Sequence, residues 1–179
     1  MSIGLKRGIV TVEQHQSEWE EAAMQTVVLL KHILQNTAID VQHIGITSIK
    51  VICAKPIIDI AVGVSAIDDI LEYNEVLAEN GFIFRGQDIA EQYLYVCGEG
   101  DIRTHHIHIV VHGSREWNNY INMRDYLNFH EADAQAYSKL KESLAAQFHD
   151  DRIKYTEMKS SFISDILRKA DEWRKSGDI

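Results

Sequence analysis

Three groups of residues have the types and spacing that chemistry needs: an aspartate in an apolar run, a histidine pair, and a glycine turn followed by hydroxyls. Asp59 lies within Ile57-Ile58-Asp59-Ile60-Ala61-Val62. Strand alternation puts Ile58, Ile60, Val62 and Val64 on one face, and Asp59 with Ile57 and Ala61 on the other. A carboxylate in a central strand is costly unless it meets a cation, a donor or water. Two readings follow: Asp59 caps a loop or pairs with Lys55, or it is a metal-binding carboxylate.

The histidines stand in Thr104-His105-His106-Ile107-His108-Ile109-Val110-Val111. Ile107, Ile109 and Val111 claim the core face, so His106 and His108 point together to the opposite side. Residues two apart on a strand have Cα atoms roughly 6.6 Å apart, close enough for both imidazoles to reach one ion. Two histidines with a carboxylate suit a transition metal better than oxygen-loving magnesium. The alternative is a solvated or internally hydrogen-bonded pair. His-x-His matters only if its strand lies beside that of Asp59, with both on one face.

The turn Gly45-Ile46-Thr47-Ser48-Ile49-Lys50 offers backbone N–H groups and hydroxyls that suit a phosphate, with Lys50 and Lys55 adding charge. The same residues also make an ordinary turn.

The elements that must position these groups follow from periodicity. Trp19, Ala22, Ala23, Val27, Leu30, Ile33 and Leu34 trace one helical face over Ser17 to Leu34, with Ser17 as N-cap. Ile39 to Ile44 and Ile57 to Val64 read as strands, the second apolar enough to be central. Ala66 to Asn80 reads as a helix stopped by Gly81. Phe82 to Arg85, Gln92 to Cys97 and Ile102 to Val111 read as three more strands, with a hairpin loop at Gly98-Glu99-Gly100-Asp101. The rest is helical, with Tyr137, Leu140, Leu144 and Phe148 on one face and Met158, Phe162 and Ile166 on another. Three strands joined by short loops cannot all be parallel. The expectation is an α/β (α+β) domain with a mixed sheet of about five strands and a helical C-terminal third.

The bulk numbers narrow the function classes. The 179 residues, 45% hydrophobic and 25% charged, suit a single domain spanning residues 1–179. A formal net charge of -9 argues against duplex nucleic acid as a partner and leaves room for a small anion in a local basic pocket. The apolar region Ile44 to Val64 is broken by Lys50, Lys55 and Asp59, so no membrane span is expected. Without a signal-peptide run at the N-terminus, a cytoplasmic location is expected. Cys53 and Cys97 read as free thiols, since neither has metal-ligand spacing around it.

In order along the chain, His43-Ile44-Gly45-Ile46-Thr47-Ser48, Lys55-Pro56-Ile57-Ile58-Asp59-Ile60 and Thr104-His105-His106-Ile107-His108-Ile109-Val110 resemble successive signatures of the GrpB family. Arg124-Asp125-Tyr126-Leu127 with His130 resembles the next block, and Tyr155 to Ile163, with Lys159, the last. The family is similar to the nucleotidyltransferase superfamily, whose mixed sheet places a Gly-Ser turn ahead of a strand bearing metal-binding carboxylates. The resemblance implies transfer of a nucleoside monophosphate to a small acceptor, with Mg, Mn or Zn holding the phosphates. Gly45, Thr47 and Ser48 would meet phosphate, and Asp59 would hold metal with His106 or His108. Lys50, Lys55, Arg124 and Lys159 would neutralise phosphate charge.

The sequence departs from that pattern in three places. Ala61 stands where a second carboxylate is usual, so the two-metal clamp lacks a partner. Ile46 replaces the serine after the glycine, and Lys50-Val51 replaces Pro-Gly. A second reading is therefore a catalytically degraded module that binds a nucleotide or a protein and assists folding or regulation of a partner. It is consistent with the fusion of such domains to dephospho-coenzyme A kinase in some proteins. A third is a histidine-metal hydrolase using the same three side chains.

Overall fold

The computed structural model describes residues 3–177, apart from the side chain of Asp88. In chain order the strands are β1 (Leu5–Lys6), β2 (Asp40–Ile44), β3 (Ile58–Val64), β4 (Ile83–Ile89), β5 (Gln92–Cys97), β6 (Ile102–Arg103) and β7 (His105–Val111). The α-helices are α1 (Ser17–Leu34), α2 (Asn74–Glu79), α3 (Arg115–Phe129), α4 (Glu131–Gln147) and α5 (Arg152–Ser176). The main sheet runs β2-β3-β7-β5-β4, and β1 pairs with β6 in a separate ribbon. Only β3 and β7 are parallel; β2–β3, β7–β5 and β5–β4 are antiparallel. The mixed five-stranded sheet with flanking helices is the expected architecture.

Periodicity decides the two faces of the sheet. Ile58, Ile60, Val62 and Val64 of β3, with Ile107 and Ile109 of β7, pack against Trp19, Ala23, Leu30 and Leu34 of α1. On the other face a smaller cluster of Ile44, Ala61, Val110 and Trp117 seals one end under α3. Gly63 makes that closeness possible, because a Cβ there would lie 2.9 Å from the Trp117 ring. Helices α3, α4 and α5 share their own core, in which Leu127, Tyr137, Ile166 and Ala170 pack on Ile49 and Ile52 of the loop between β2 and β3.

Several local expectations are corrected. Helix α1 takes its cap at Gln16, not Ser17, whose hydroxyl turns instead to Glu18. The stretch from Ala66 to Asn80 is a 3-10 helix over Ile67–Tyr73 followed by the short α2, and Asp69 accepts a bond from the Ala66 amide at its start. β4 runs past Arg85 to Ile89 because register shifts between Phe84 and Gln87 let pairing resume. Ile102 to Val111 splits at Thr104, whose amide bonds back to Cys97 while Ile102 and Arg103 turn away to pair with Lys6 and Leu5. Both cysteines are free; Cys53 is buried and Cys97 half-buried. Among the described residues no helix is long and apolar enough to cross a membrane.

Candidate functional site

The site rests on one register. In the parallel pair, Asp59 lies beside His106 and Ala61 beside His108. All three functional side chains therefore leave the same face of the sheet, toward its open end. Asp59 Oδ1 is 3.0 Å from His108 Nε2 and 3.4 Å from His106 Nδ1. The two imidazoles are edge to face, with ring centroids 6.3 Å apart. The side chains keep 27%, 24% and 14% exposure for Asp59, His106 and His108, so all three are partly open to solvent.

Burial alone would push the Asp59 carboxyl up, but hydrogen bonds from His106 and His108, and then their charge, hold it well below the ordinary carboxylate range. It is thus a permanent anion near neutral pH. Tyr120 donates to Gln92 at 2.7 Å and lies 3.5 Å from His108 Nδ1, which fixes that ring from behind.

The glycine turn abuts the carboxylate. Gly45 has φ +68, and a Cβ there would sit 2.7 Å from Asp59 Oδ2. Only glycine satisfies both the left-handed backbone and the close approach. Ile46–Ser48 then forms a single 3-10 turn. Its hydroxyls are already engaged: Ser48 donates to the Gly45 carbonyl at 2.5 Å, and buried Thr47 lies 2.9 Å from His43 Nε2. Burial first, and Arg124 with it, push His43 down to about 4, so it bonds Thr47 as a neutral ring.

Beside Asp59 opens a cavity of about 140 Å³, lined among others by Thr47, Lys55, His106, Lys141, Tyr155 and Lys159. Lys55 and Lys159 lie 4.4 and 4.5 Å from the centroid of the Tyr155 ring. Burial, then each other's neighbourhood and that of Arg152, push Lys55 down to about 8. Burial likewise brings Lys159 to about 8, with nearby Asp59 opposing the shift. Lys141, 2% exposed, donates to the Cys53 carbonyl and is pushed down to about 7, chiefly by burial. Three lysines thus line the cavity beside the carboxylate.

The donor set fits a metal ion. One ligand atom from each of Asp59, His106 and His108 falls within 4.8 Å of the others, the single such group among the described residues. Two nitrogens and one oxygen match Zn or Mn better than Mg.

A model of the GrpB protein family matches residues 9–169. The chain belongs to the GrpB family. It is 33% identical to the glutamate-rich protein GrpB of Alkalihalophilus pseudofirmus over 93% of this chain and 99% of that one. The UPF0157 protein YqkA of Bacillus subtilis is 31% identical over 93% of this chain, which spans 48% of YqkA. The crystal structure of the conserved protein GrpB from Enterococcus faecalis superposes with TM-score 0.83 and 32% identity, covering 89% of this chain and 96% of that one. The Cid1 poly(U) polymerase with MgGTP bound superposes at TM-score 0.52 and 18% identity, over 75% of this chain and 44% of that one. At that identity the likeness shows the fold alone: this GrpB-family protein has a nucleotidyltransferase-like fold.

The structure gathers some sequence-nominated residues and separates others. Asp59, His106, His108, Gly45, Thr47, Lys55 and Lys159 converge. Lys50 and Arg124 do not; they line a different cleft with Ser48, on the α1 side of the turn. Lys50 is 71% exposed and 3.9 Å from Glu20. Arg124 is spent on structure, donating to Asp125, to Gln42 and to the His43 carbonyl. Lys141 and Tyr155 were not nominated. In sequence Tyr155 signals only packing, and Lys141 reads as a solvated helix residue.

Proposed function

We propose that this GrpB-family protein binds a divalent transition metal at Asp59, His106 and His108 and nucleotide phosphates at Lys55 and Lys159, for nucleotidyl or phosphoryl transfer to a small acceptor. The observation that carries the reading is that Asp59 and His106 belong both to the metal-type donor set and to the wall of the lysine-lined cavity. A divalent ion held there would supply charge neutralisation and polarisation of phosphate oxygens.

The chain's own groups do the rest. Lys55 and Lys159, both held against the Tyr155 ring, hold non-bridging phosphate oxygens and position the phosphorus. Asp59 balances the charge of the cation-rich site in the absence of ligand. The cavity of about 140 Å³ receives the phosphate groups, and the nucleoside extends from its open side. In nucleotidyl transfer the acceptor oxygen bonds to the α-phosphorus and the bond to the pyrophosphate oxygen breaks. Pyrophosphate leaves with the electron pair, and the acceptor's proton passes to water. Positioning and electrostatics provide most of the rate in such chemistry.

Calorimetric titration with ATP, GTP, CTP and UTP, each with Mn, Zn or Mg, tests the reading, together with a pyrophosphate-release assay. Heat that depends on both metal and Asp59 is expected; no heat with any pair, and no pyrophosphate, overturns it.

One observation favours the degraded-module alternative. Ala61 is fully buried beneath Trp117, with Ile44 and Val110 around it, so that position gives no second acid. Under that alternative nucleotide binds without pyrophosphate release, and Asp59→Ala leaves the cellular phenotype intact.

A further inference from the structure

The triad opens on two cavities. Besides the lysine-lined one, His106 and His108 line a cleft of about 400 Å³ together with Arg7, Arg85, Arg103 and Arg152, over Leu94 and Val96. Leu94 pairs with His108 and Val96 with His106, so this cleft continues the same sheet face toward β4.

Four separate elements deliver the arginines. Arg85 stands where the β4–β5 register shifts. Arg103 lies on β6, Arg7 follows β1 with its amide bonded to the Asp101 carbonyl at 2.8 Å, and Arg152 opens α5. The small β1–β6 ribbon, which adds nothing to the main sheet, brings two of the four to the cleft.

These are four of the chain's eight arginines, in a protein of net charge -9. Among the described residues, none of the four has a carboxylate within 4.0 Å. Arg103 donates to the carbonyls of Gly100 and Ile102. By contrast Arg124, Arg168 and Arg174 all hold acidic partners. Like charges gathered without counter-charges repel one another, and the chain has 27 acidic residues from which partners could have come.

We propose that the cleft of Arg7, Arg85, Arg103 and Arg152 is a second anion site, which holds the acceptor by a phosphate monoester of its own. The inference rests on the transfer reading of the triad and adds the acceptor's chemical class: a small molecule carrying both a phosphate and the group that is to be modified. A phosphate dianion suits this site better than a single carboxylate, because four arginines line one cleft and a guanidinium can give two parallel hydrogen bonds. The volume suits a molecule of sugar-phosphate size. The two histidines between the cavities set the acceptor's free end beside the nucleotide phosphates. A long polynucleotide is disfavoured by the acidic remainder of the surface.

The test is calorimetry on the full chain with ribose 5-phosphate, ribose, inorganic phosphate and a five-residue oligouridylate, alongside ATP with Mn. Ribose 5-phosphate and inorganic phosphate are expected to bind and ribose not to. Arg85→Gln and Arg152→Gln, both at exposed positions, each weaken ribose 5-phosphate by about tenfold or more, the loss of one charge-assisted contact. Arg85→Lys recovers part of that loss, and Arg168→Gln, outside both cavities, changes nothing. Lys159→Gln weakens ATP binding and leaves ribose 5-phosphate within about twofold. If ribose 5-phosphate fails to bind, or binds without regard to Arg85 and Arg152, the second site is refuted while the nucleotide reading stands. If ATP fails to bind yet the arginine dependence holds, the transfer reading falls and the anion site survives. An oligouridylate that binds more tightly than ribose 5-phosphate through the same arginines overturns the small-acceptor class in favour of RNA.

Discussion

The two faces of β3 and β7 share one backbone and one register yet do opposite things. Toward α1, Ile58, Ile60, Val62 and Val64 are fully buried and make no polar contact. Toward the cavities, Asp59, His106 and His108 keep partial exposure and contact one another. The α1 face is where folding free energy concentrates, because burying a large aliphatic side chain contributes about 1.5–3 kcal/mol. The cavity face gives up that contribution for reachable donors. Stability and chemistry are therefore separable here by a one-residue step along the chain.

The strongest way to break that separation is Ile60→Ala. It leaves a cavity in the main core, and we expect a loss of about 3 kcal/mol in chemical denaturation with unaltered metal stoichiometry in the folded fraction. The neighbouring change Asp59→Ala should do the reverse. Metal affinity, followed by calorimetry with Zn or Mn, falls by about a hundredfold or more, while the melting temperature moves by only a few degrees. A large drop in melting temperature would show that the carboxylate holds the strands together, and the distinction between faces would fail.

A smaller effect sharpens the contrast between the two basic cavities. Lys55 and Lys159 lose charge near pH 8, whereas guanidiniums stay charged. ATP affinity should therefore decline as pH rises through 8, and ribose 5-phosphate affinity should stay flat. Without ligand the sign for stability is opposite. Both lysines bind protons less readily folded than unfolded, so between about pH 8 and about 10.4 the unfolded chain carries more protons and stability rises with pH. Lys55→Gln with Lys159→Gln flattens both trends, as titrating calorimetry and urea midpoints would show. The smallest effect belongs to Lys50→Ala. Among the described residues its only ion pair is a loose one with Glu20, so ATP affinity stays within about twofold and stability changes by about 0.5 kcal/mol or less.

Much of the architecture was legible because its signals are periodic. The alternation in Ile57 to Val64 and Thr104 to Val111 correctly gave both strands their faces, and a shared side for Asp59, His106 and His108 was the condition set for a metal site. What escaped has no period. Leu5–Lys6 and Ile102–Arg103 are two-residue strands, too short to alternate, and Arg103 and the Arg7 that follows β1 look like ordinary surface charge in sequence. Lys50 and Arg124 show the converse: proximity in sequence to the glycine turn, or a place in a family block, says nothing about which of the two clefts a cation lines. Lys141 shows the same limit, since a lysine on a helix reads as solvated until a neighbouring carbonyl is seen to bury it.

The parallel pairing of β3 with β7 has a consequence for how a bound ion is felt. Asp59 and His108 are 49 positions apart in the chain, so their contact ties together a long stretch of it. Asp59, His106 and His108 stand together only while β3 and β7 stay paired. Metal uptake should therefore act as a clamp across the longest loop of the sheet, slowing global opening more than local fraying.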